Sequence, residues 1–407
     1  MARLKTFRGL RPPREFVQQV AAPPFDVVDS EEARAYAQGN PHSFFHISRP
    51  EIDLPPGTDE HSDAVYARGK ENLERFLAKG WLKRDAGRTF YVYRQRMGAH
   101  VQTGLVAGAS VNEYDVGRIK KHELTRADKE DDRTRHIEAL GGNDEPVFLT
   151  YRAVPEIDAL MARATQAAPE YDFVTEDGIA HTFWILRGEL NEQLAQAFEK
   201  VPCLYIADGH HRSAAAARVR KQYQRAFKGK GEHDWFLSVV FPHDQMQILA
   251  YNRVVKDLNG LSPQALRERL GGAFDVAAAE QKTPGRLHDF GMYLDKRWYR
   301  LTAKPGTYEE TPTGVLDVSI LQRNVLAPLL GIGDPRTDAR IQFVGGIRGV
   351  EELERRVDSG GAQVAFSLFP TTLEQLMAIA DAGETMPPKS TWFEPKLRSG
   401  LVLHLFT

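Results

Sequence analysis

VPCLYIADGHHRSAAAARVRKQY, residues 201–223, is the stretch from which the rest of the chain is read. Cys203 to Ala207 is an apolar run between polar residues, the pattern of a buried strand. Asp208-Gly209 turns the chain, and the Ala-rich run Ser213 to Tyr223 predicts a helix. His210, His211 and Arg212 therefore fall at a strand-to-helix turn. Free backbone N–H groups and the positive end of the helix dipole favour an anion there. Ala214 to Ala217 would let the helix approach its sheet closely. A paired His can also cap a helix, and Asp-Gly turns are common. Two imidazoles and an Arg with no apolar residue among them fill a core poorly, so an anion-binding or catalytic turn is expected.

Composition narrows the setting. A chain of 407 residues is long for one core and suggests two or three α/β lobes. A formal net charge of −2 gives no general attraction to nucleic acid or to an anionic membrane. With one cysteine there is no internal disulfide and no cysteine-rich metal site. No run approaches a membrane span, and the basic MARLKTFRGLRPPREF start lacks the apolar stretch of a signal peptide. A cytoplasmic protein with neither nucleic-acid nor membrane partners is expected.

Upstream, Val20 to Val28 (VAAPPFDVV) predicts a rigid loop and short strand, followed by a helix capped by Ser30 and ended by Gly39-Asn40-Pro41. His42 to Ile47 is expected to return to the sheet, and a second helix to run from about Asp59 to Lys79. Phe90 to Gln95 and Val101 to Ser110 form a hairpin through Gly98-Ala99. Next comes GRIKKHELT, residues 117–125, where Thr125 and Asp128 suggest a capping box opening a helix to about Leu140. On that helix Arg126, Lys129, Arg133 and His136 follow steps of three, four and three and share one side. Such a stripe suits a phosphate or a plain solvated face. Glu123, just before it, is equally placed as a first-turn acid favoured by the helix dipole.

Strands at Val147–Tyr151, Tyr171–Val174, His181–Leu186, Trp235–Phe241 and Met246–Val255 alternate with helices near 156–167 and 190–200. His243-Asp244 reads as a turn. From about Lys256 a second lobe follows, with a helix at Pro263–Leu270, a hairpin Gly291–Leu294 with Trp298–Thr302, and an apolar helix Leu316–Leu330. Near the end, Lys389, Ser390 and Thr391 suit a phosphate or carboxylate, or a surface loop pinned by Trp392 and Phe393. There is no internal repeat, Walker A pattern or Rossmann glycine fingerprint.

The Asp-Gly-His-His-Arg turn resembles the ParB/sulfiredoxin-like superfamily, and within it the archaeal ADP-dependent free-serine kinases. APPFDVV (22–28), GRIKKHELT (117–125), the turn itself, YNRVVKDL (251–258) and MPPKSTWFEPKLRSGLV (386–402) together resemble a large, mostly uncharacterised bacterial and archaeal family. Sulfiredoxins carry Cys where His210 stands, so thiol chemistry is not implied. ParB proteins carry a Glu-Arg-Arg variant and a helix-turn-helix region that this chain lacks. The resemblance implies a mixed α/β fold with a ParB/sulfiredoxin-like nucleotide-binding core at 89–255. An N-terminal extension at 1–88 and a C-terminal α/β lobe at 256–407 would flank it. It further implies phosphoryl transfer from ATP or ADP, with Mg²⁺, to a small hydroxyl-bearing metabolite, free L-serine first among them.

In those kinases a His-Glu pair in this order includes the proposed catalytic glutamate, which nominates Glu123, with His122, Asp208 and His211 beside it. Gly209, His210, Arg212 and Ser213, with Arg126, Lys129, Arg133 and His136, would hold nucleotide phosphate. Asp208 would hold the metal or orient a His. A nucleotide-binding regulatory switch, or a nucleotide hydrolase, on the same fold is the alternative.

Overall fold

A computed structural model describes residues 2–227 and 229–406. The fold is mixed α/β and divides into two units, Met1–Met246 with Pro395–Thr407, and Gln247–Glu394. Residues 1–88 and 89–246 thus lie in one unit. The expected last lobe runs from 256 to 407, but the chain leaves its second unit at Glu394 and returns to the first.

The first unit is built on a nine-stranded mixed sheet. From one edge its order is Ile119–Lys120, Leu204–Asp208, Val147–Tyr151, Trp235–Pro242, His100–Ser110, Tyr91–Met97, Ala180–Ile185 and Tyr171–Val174, and Leu4–Lys5 also pairs with His100–Ser110. Two pairings are parallel, Leu204–Asp208 with Ile119–Lys120 and Trp235–Pro242 with Val147–Tyr151. Every residue of Val147–Tyr151 is buried, as an unbroken apolar and β-prone run in a central strand requires. The helix His210–Phe227 packs on Ala127–Leu140 through Ala215, Val219 and Ile137. Ala214, Ala216 and Ala217 are buried in the cluster shared with the sheet strands, whereas Ala215 packs on the helix Ala127–Leu140.

Several local expectations change. Asp29, not Ser30, caps the helix Ser30–Ala37: its carboxylate accepts from the N–H groups of Glu31 and Glu32, and Glu32 closes a capping box. Ser30 Oγ donates instead to Glu51 and Glu60. His42 to Ile47 is not a strand; it leads into a short helix, Phe45–Ser48. Phe44, Phe45 and Ile47 are all fully buried there, and such a short apolar run does not distinguish strand from helix by period. The helix Ala127–Leu140 starts after Arg126 without a side-chain cap, because Thr125 Oγ1 turns to Glu130.

The second unit carries a six-stranded antiparallel sheet in the order Phe274–Ala278, Arg297–Ala303, Asp289–Leu294, Val364–Leu368, Tyr251–Val255 and Ile341–Gly345. The strand read as Met246–Val255 is two: Gln247–Leu249 pairs with Trp392–Glu394, and Tyr251–Val255 joins the sheet. Leu316–Leu330 is not one helix either. Asp317–Leu321 is α-helical, Gln322–Leu326 is a π-turn, and Pro328 lacks the N–H that would continue the ladder. Among the described residues no helix is long and apolar enough to cross a membrane.

Gly104 marks how closely side chains of neighbouring strands pack across one face of the first sheet. A Cβ there would lie 2.8 Å from both Val239 Cγ1 and Phe241 Cε1, inside van der Waals contact with buried side chains. Gly104→Ala is therefore expected to lower stability by about 1–3 kcal/mol, read as an earlier urea midpoint at unchanged slope. An unchanged midpoint would show that the sheet face yields there.

Candidate functional site

The strand Leu204–Asp208 ends in a register shift between Ile206 and Asp208, and Gly209 takes φ 98°. Glycine adopts that conformation without the strain a side chain would bring. The helix then begins at once, at His210. His210, His211 and Arg212 are consequently its first turn, whereas the sequence pattern alone begins the helix at Ser213. The Ser213 N–H and Oγ both donate to the Gly209 carbonyl, at 3.0 and 3.1 Å, closing that turn. First-turn N–H groups have no acceptor four residues back, so this end of an 18-residue helix presents donors and positive potential.

The segment around His122 meets this turn directly. The His122 and His210 rings lie edge to face with centroids 4.5 Å apart, and His210 Nδ1 is 3.8 Å from Glu123 Oε2. The His122 backbone N–H faces His210 Nε2 at 3.5 Å, and the Arg126 backbone N–H donates to His211 Nε2 at 3.1 Å. The latter bond leaves the His211 proton on Nδ1. Burial lowers the His122 pKa to about 4, against a smaller opposing effect of Asp208. His210 is held well below the usual histidine range by burial and then by His122, and burial lowers His211 as well. Glu123 is half exposed beside these neutral rings.

Behind the turn lies a buried charge network. The Arg212 side chain is 10% exposed; Nη1 donates to the Pro146 carbonyl and lies 4.0 Å from Glu145 Oε2, while Nη2 is 3.6 Å from Asp208 Oδ1. Lys396 Nζ donates to Asp208 Oδ2 at 3.0 Å. Burial alone would raise the Asp208 pKa, but Lys396 and Arg212 hold it far below the usual carboxylate range. Arg212 is thus committed to protein oxygens, where the sequence reading assigns it to phosphate. Asp208, the candidate for Mg²⁺, fits that ion poorly: two cations already share its carboxylate, and Mg²⁺ asks for several oxygen donors.

The cationic stripe does not form one face. Arg126 pairs with Asp128 on the surface and Lys129 is exposed, but Arg133 pairs with Asp132 at 2.7 Å and lies 3.9 Å over the Phe25 ring. His136 is buried, with Nε2 2.9 Å from Asp144 Oδ2. The far end of the stripe turns into the unit, where acids neutralise it. Lys389, Ser390 and Thr391 belong to the second unit. There Lys389, at φ 57°, gives its carbonyl to Arg253 and sets Nζ 5.7 Å from the Tyr251 ring, and Ser390 Oγ donates to the Pro387 carbonyl.

Three residues of this network escape the sequence reading. Lys396 reaches Asp208, Asp26 acts electrostatically on His211 and Arg212, and Glu145 lies buried beside Arg212. Asp26 and Lys396 stand inside the quoted stretches APPFDVV and MPPKSTWFEPKLRSGLV, which is the signal that could have found them. Glu145 Oε1 accepts from Ser399 Oγ at 2.9 Å and the Phe25 N–H at 3.2 Å. Burial, and then Asp144, push the Glu145 pKa up to about 8.

A raised carboxyl pKa costs stability as pH rises. Below the unfolded value both states hold the proton; above it the unfolded chain ionises first, until pH passes the folded value near 8. Glu145→Gln keeps the acceptor for Ser399 and Phe25 and removes the ionisation. Its stability relative to the parent should therefore climb between about pH 4.5 and 8 by on the order of a few kcal/mol and then level off. A pH-independent difference in unfolding free energy would show that Glu145 is ionised in the folded protein.

No curated protein matches the chain. Among solved structures it is similar to a free serine kinase in complex with AMP, at 15% identity and TM-score 0.34 over 73% of this chain and 92% of that one. SbnI with a C-terminal truncation from Staphylococcus aureus is similar at 12% identity and TM-score 0.39, over 74% and 87% of the two chains. A conserved hypothetical protein from Pyrococcus furiosus is similar at 14% identity and TM-score 0.33, over 73% and 95%. At such scores these likenesses assign no activity. The family model is more direct, since it matches residues 4–319 and so includes the turn and the His122-Glu123 segment, though not Lys396 and Ser399. The chain belongs to the family described as Protein of unknown function (DUF1015).

Proposed function

We propose that the first unit is a nucleotide-dependent phosphotransferase acting on a small hydroxyl-bearing metabolite, with ATP or ADP as donor and free L-serine as the leading acceptor. The observation that carries this reading is the half-exposed Glu123 carboxylate beside the first turn of the helix His210–Phe227. Phosphoryl transfer asks for donors around phosphate and a group to take the hydroxyl proton. In this reading the N–H groups of the first turn hold phosphate, and exposed Arg126 and Lys129 add positive charge nearby. The His211 Nδ1–H is a further neutral donor. The acceptor oxygen attacks phosphorus, the bond to the nucleotide oxygen breaks, and Glu123 takes the proton.

Arg212, with Asp208 and Lys396 behind it, positions the turn without touching phosphate. Any Mg²⁺ comes as the nucleotide's own counter-ion. The acceptor and nucleotide follow from the resemblance of the DGHHR turn and the His122-Glu123 pair to the serine kinases.

Glu123→Gln keeps size and most hydrogen bonding but gives up the base. With ATP or ADP and L-serine, it should leave nucleotide affinity near the parent's and lower acceptor-dependent turnover by on the order of a hundredfold or more. Turnover equal to the parent's would make Glu123 a helix-terminus acid only. Saturable nucleotide binding with no phosphorylated product from any hydroxyl acceptor would point to a regulatory switch.

A further inference from the structure

We infer that His122, Glu123 and His210 form a binding site for a divalent transition-metal ion of the zinc or cobalt class. The three side chains each offer one ligand atom, and those atoms lie within 4.8 Å of one another. Two imidazoles and one carboxylate are the donor set of an open, three-ligand zinc site, with a further position left for water or substrate oxygen. Mg²⁺ and Ca²⁺ take oxygen donors and would be poorly served by the same set.

A second observation comes from His122. Its Nδ1 is buried and meets no hydrogen-bond partner, which is costly for a polar atom unless a ligand engages it. A buried ring nitrogen that no protein group engages is free to offer its lone pair, as a metal-ligating histidine requires. His210 presents Nδ1 to Glu123 at 3.8 Å, and ligation there takes the tautomer with the proton on Nε2, giving up a 3.5 Å contact from the His122 N–H that is already at the outer limit of a hydrogen bond. Both rings are buried, which favours the neutral form that ligates. Glu123 supplies the negative charge and the solvent-facing side of the group. The helix end and Lys121 oppose a cation, and Asp208 offsets them, acting favourably on the charge of both histidines.

A metal site goes beyond phosphoryl transfer, sharing with it the Glu123 carboxylate and the His210 position at the helix end. A metal on Glu123 would occupy the carboxylate that transfer needs, so the site is measured by binding, without nucleotide. The full chain is dialysed against Zn²⁺ and, separately, Co²⁺, with metal per chain and the visible Co²⁺ spectrum as readouts. One ion per chain is expected, with the stronger visible absorption of a four- or five-coordinate Co²⁺ centre, and no comparable uptake of Mg²⁺. Glu123→Gln and His210→Ala should each weaken binding by on the order of tenfold or more. If His210→Ala fails to fold, Glu123→Gln at its half-exposed position decides. Absence of Zn²⁺ and Co²⁺ binding by the parent, or Glu123→Gln binding as the parent does, overturns the site. Either result leaves the turnover test untouched, and failure of the turnover test leaves this one untouched.

Discussion

A buried guanidinium sets the terms on which the first unit is assembled. Arg212 sits on the inner side of a helix's first turn, nearly out of reach of water. Taking a cation out of water costs several kcal/mol unless oxygens surround it. The Pro146 carbonyl, Asp208 and Glu145 provide them, drawn from two separate stretches of the chain. The C-terminal return is recruited to the same end: Lys396 binds Asp208 and Ser399 binds Glu145. Residues far apart in sequence are thereby fixed to one turn.

The arrangement separates charge from the surface that faces a ligand. Behind the turn Asp208 offsets part of the charge of Arg212 and Lys396, while Glu145, its pKa pushed up to about 8, stands beside Arg212 as a neutral acid near pH 7. What lies in front is the helix end, three imidazoles that burial keeps neutral, and the exposed Glu123 carboxylate, with exposed Asp26 also acting on His211. In the proposed function, attraction for an anion rests on oriented N–H groups, with exposed Lys129 and the Asp128-paired Arg126 nearby. Neutral histidines also suit a metal. Which ligand prevails depends on how Glu123 is used, since it is the group common to both.

Much of this was legible because short-range signals governed it. The strand before the turn, the alanine face and the hairpin at Gly98 follow from period and propensity, and all are present. The failures came where tertiary partners decide. Ser30 and Asp29 are both good caps, and only the fold shows Ser30 drawn to Glu51. The stripe on Ala127–Leu140 has the right spacing for one face, yet spacing does not reveal that Asp132 and Asp144 would take Arg133 and His136 inward. Lys396 and Glu145 lie far from the turn in sequence, so their part in its charge balance was invisible until the chain closed on itself.

In the proposed function a nucleotide phosphate binds at the end of the helix His210–Phe227. Hydrogen–deuterium exchange of the full chain, with and without saturating ADP and Mg²⁺, tests it without assuming a reaction. Slowed exchange is expected chiefly in peptides covering 208–213 and 119–126, because the first-turn N–H groups gain an acceptor and the adjoining segment is held against them. Slowed exchange elsewhere with these peptides unchanged would contradict it.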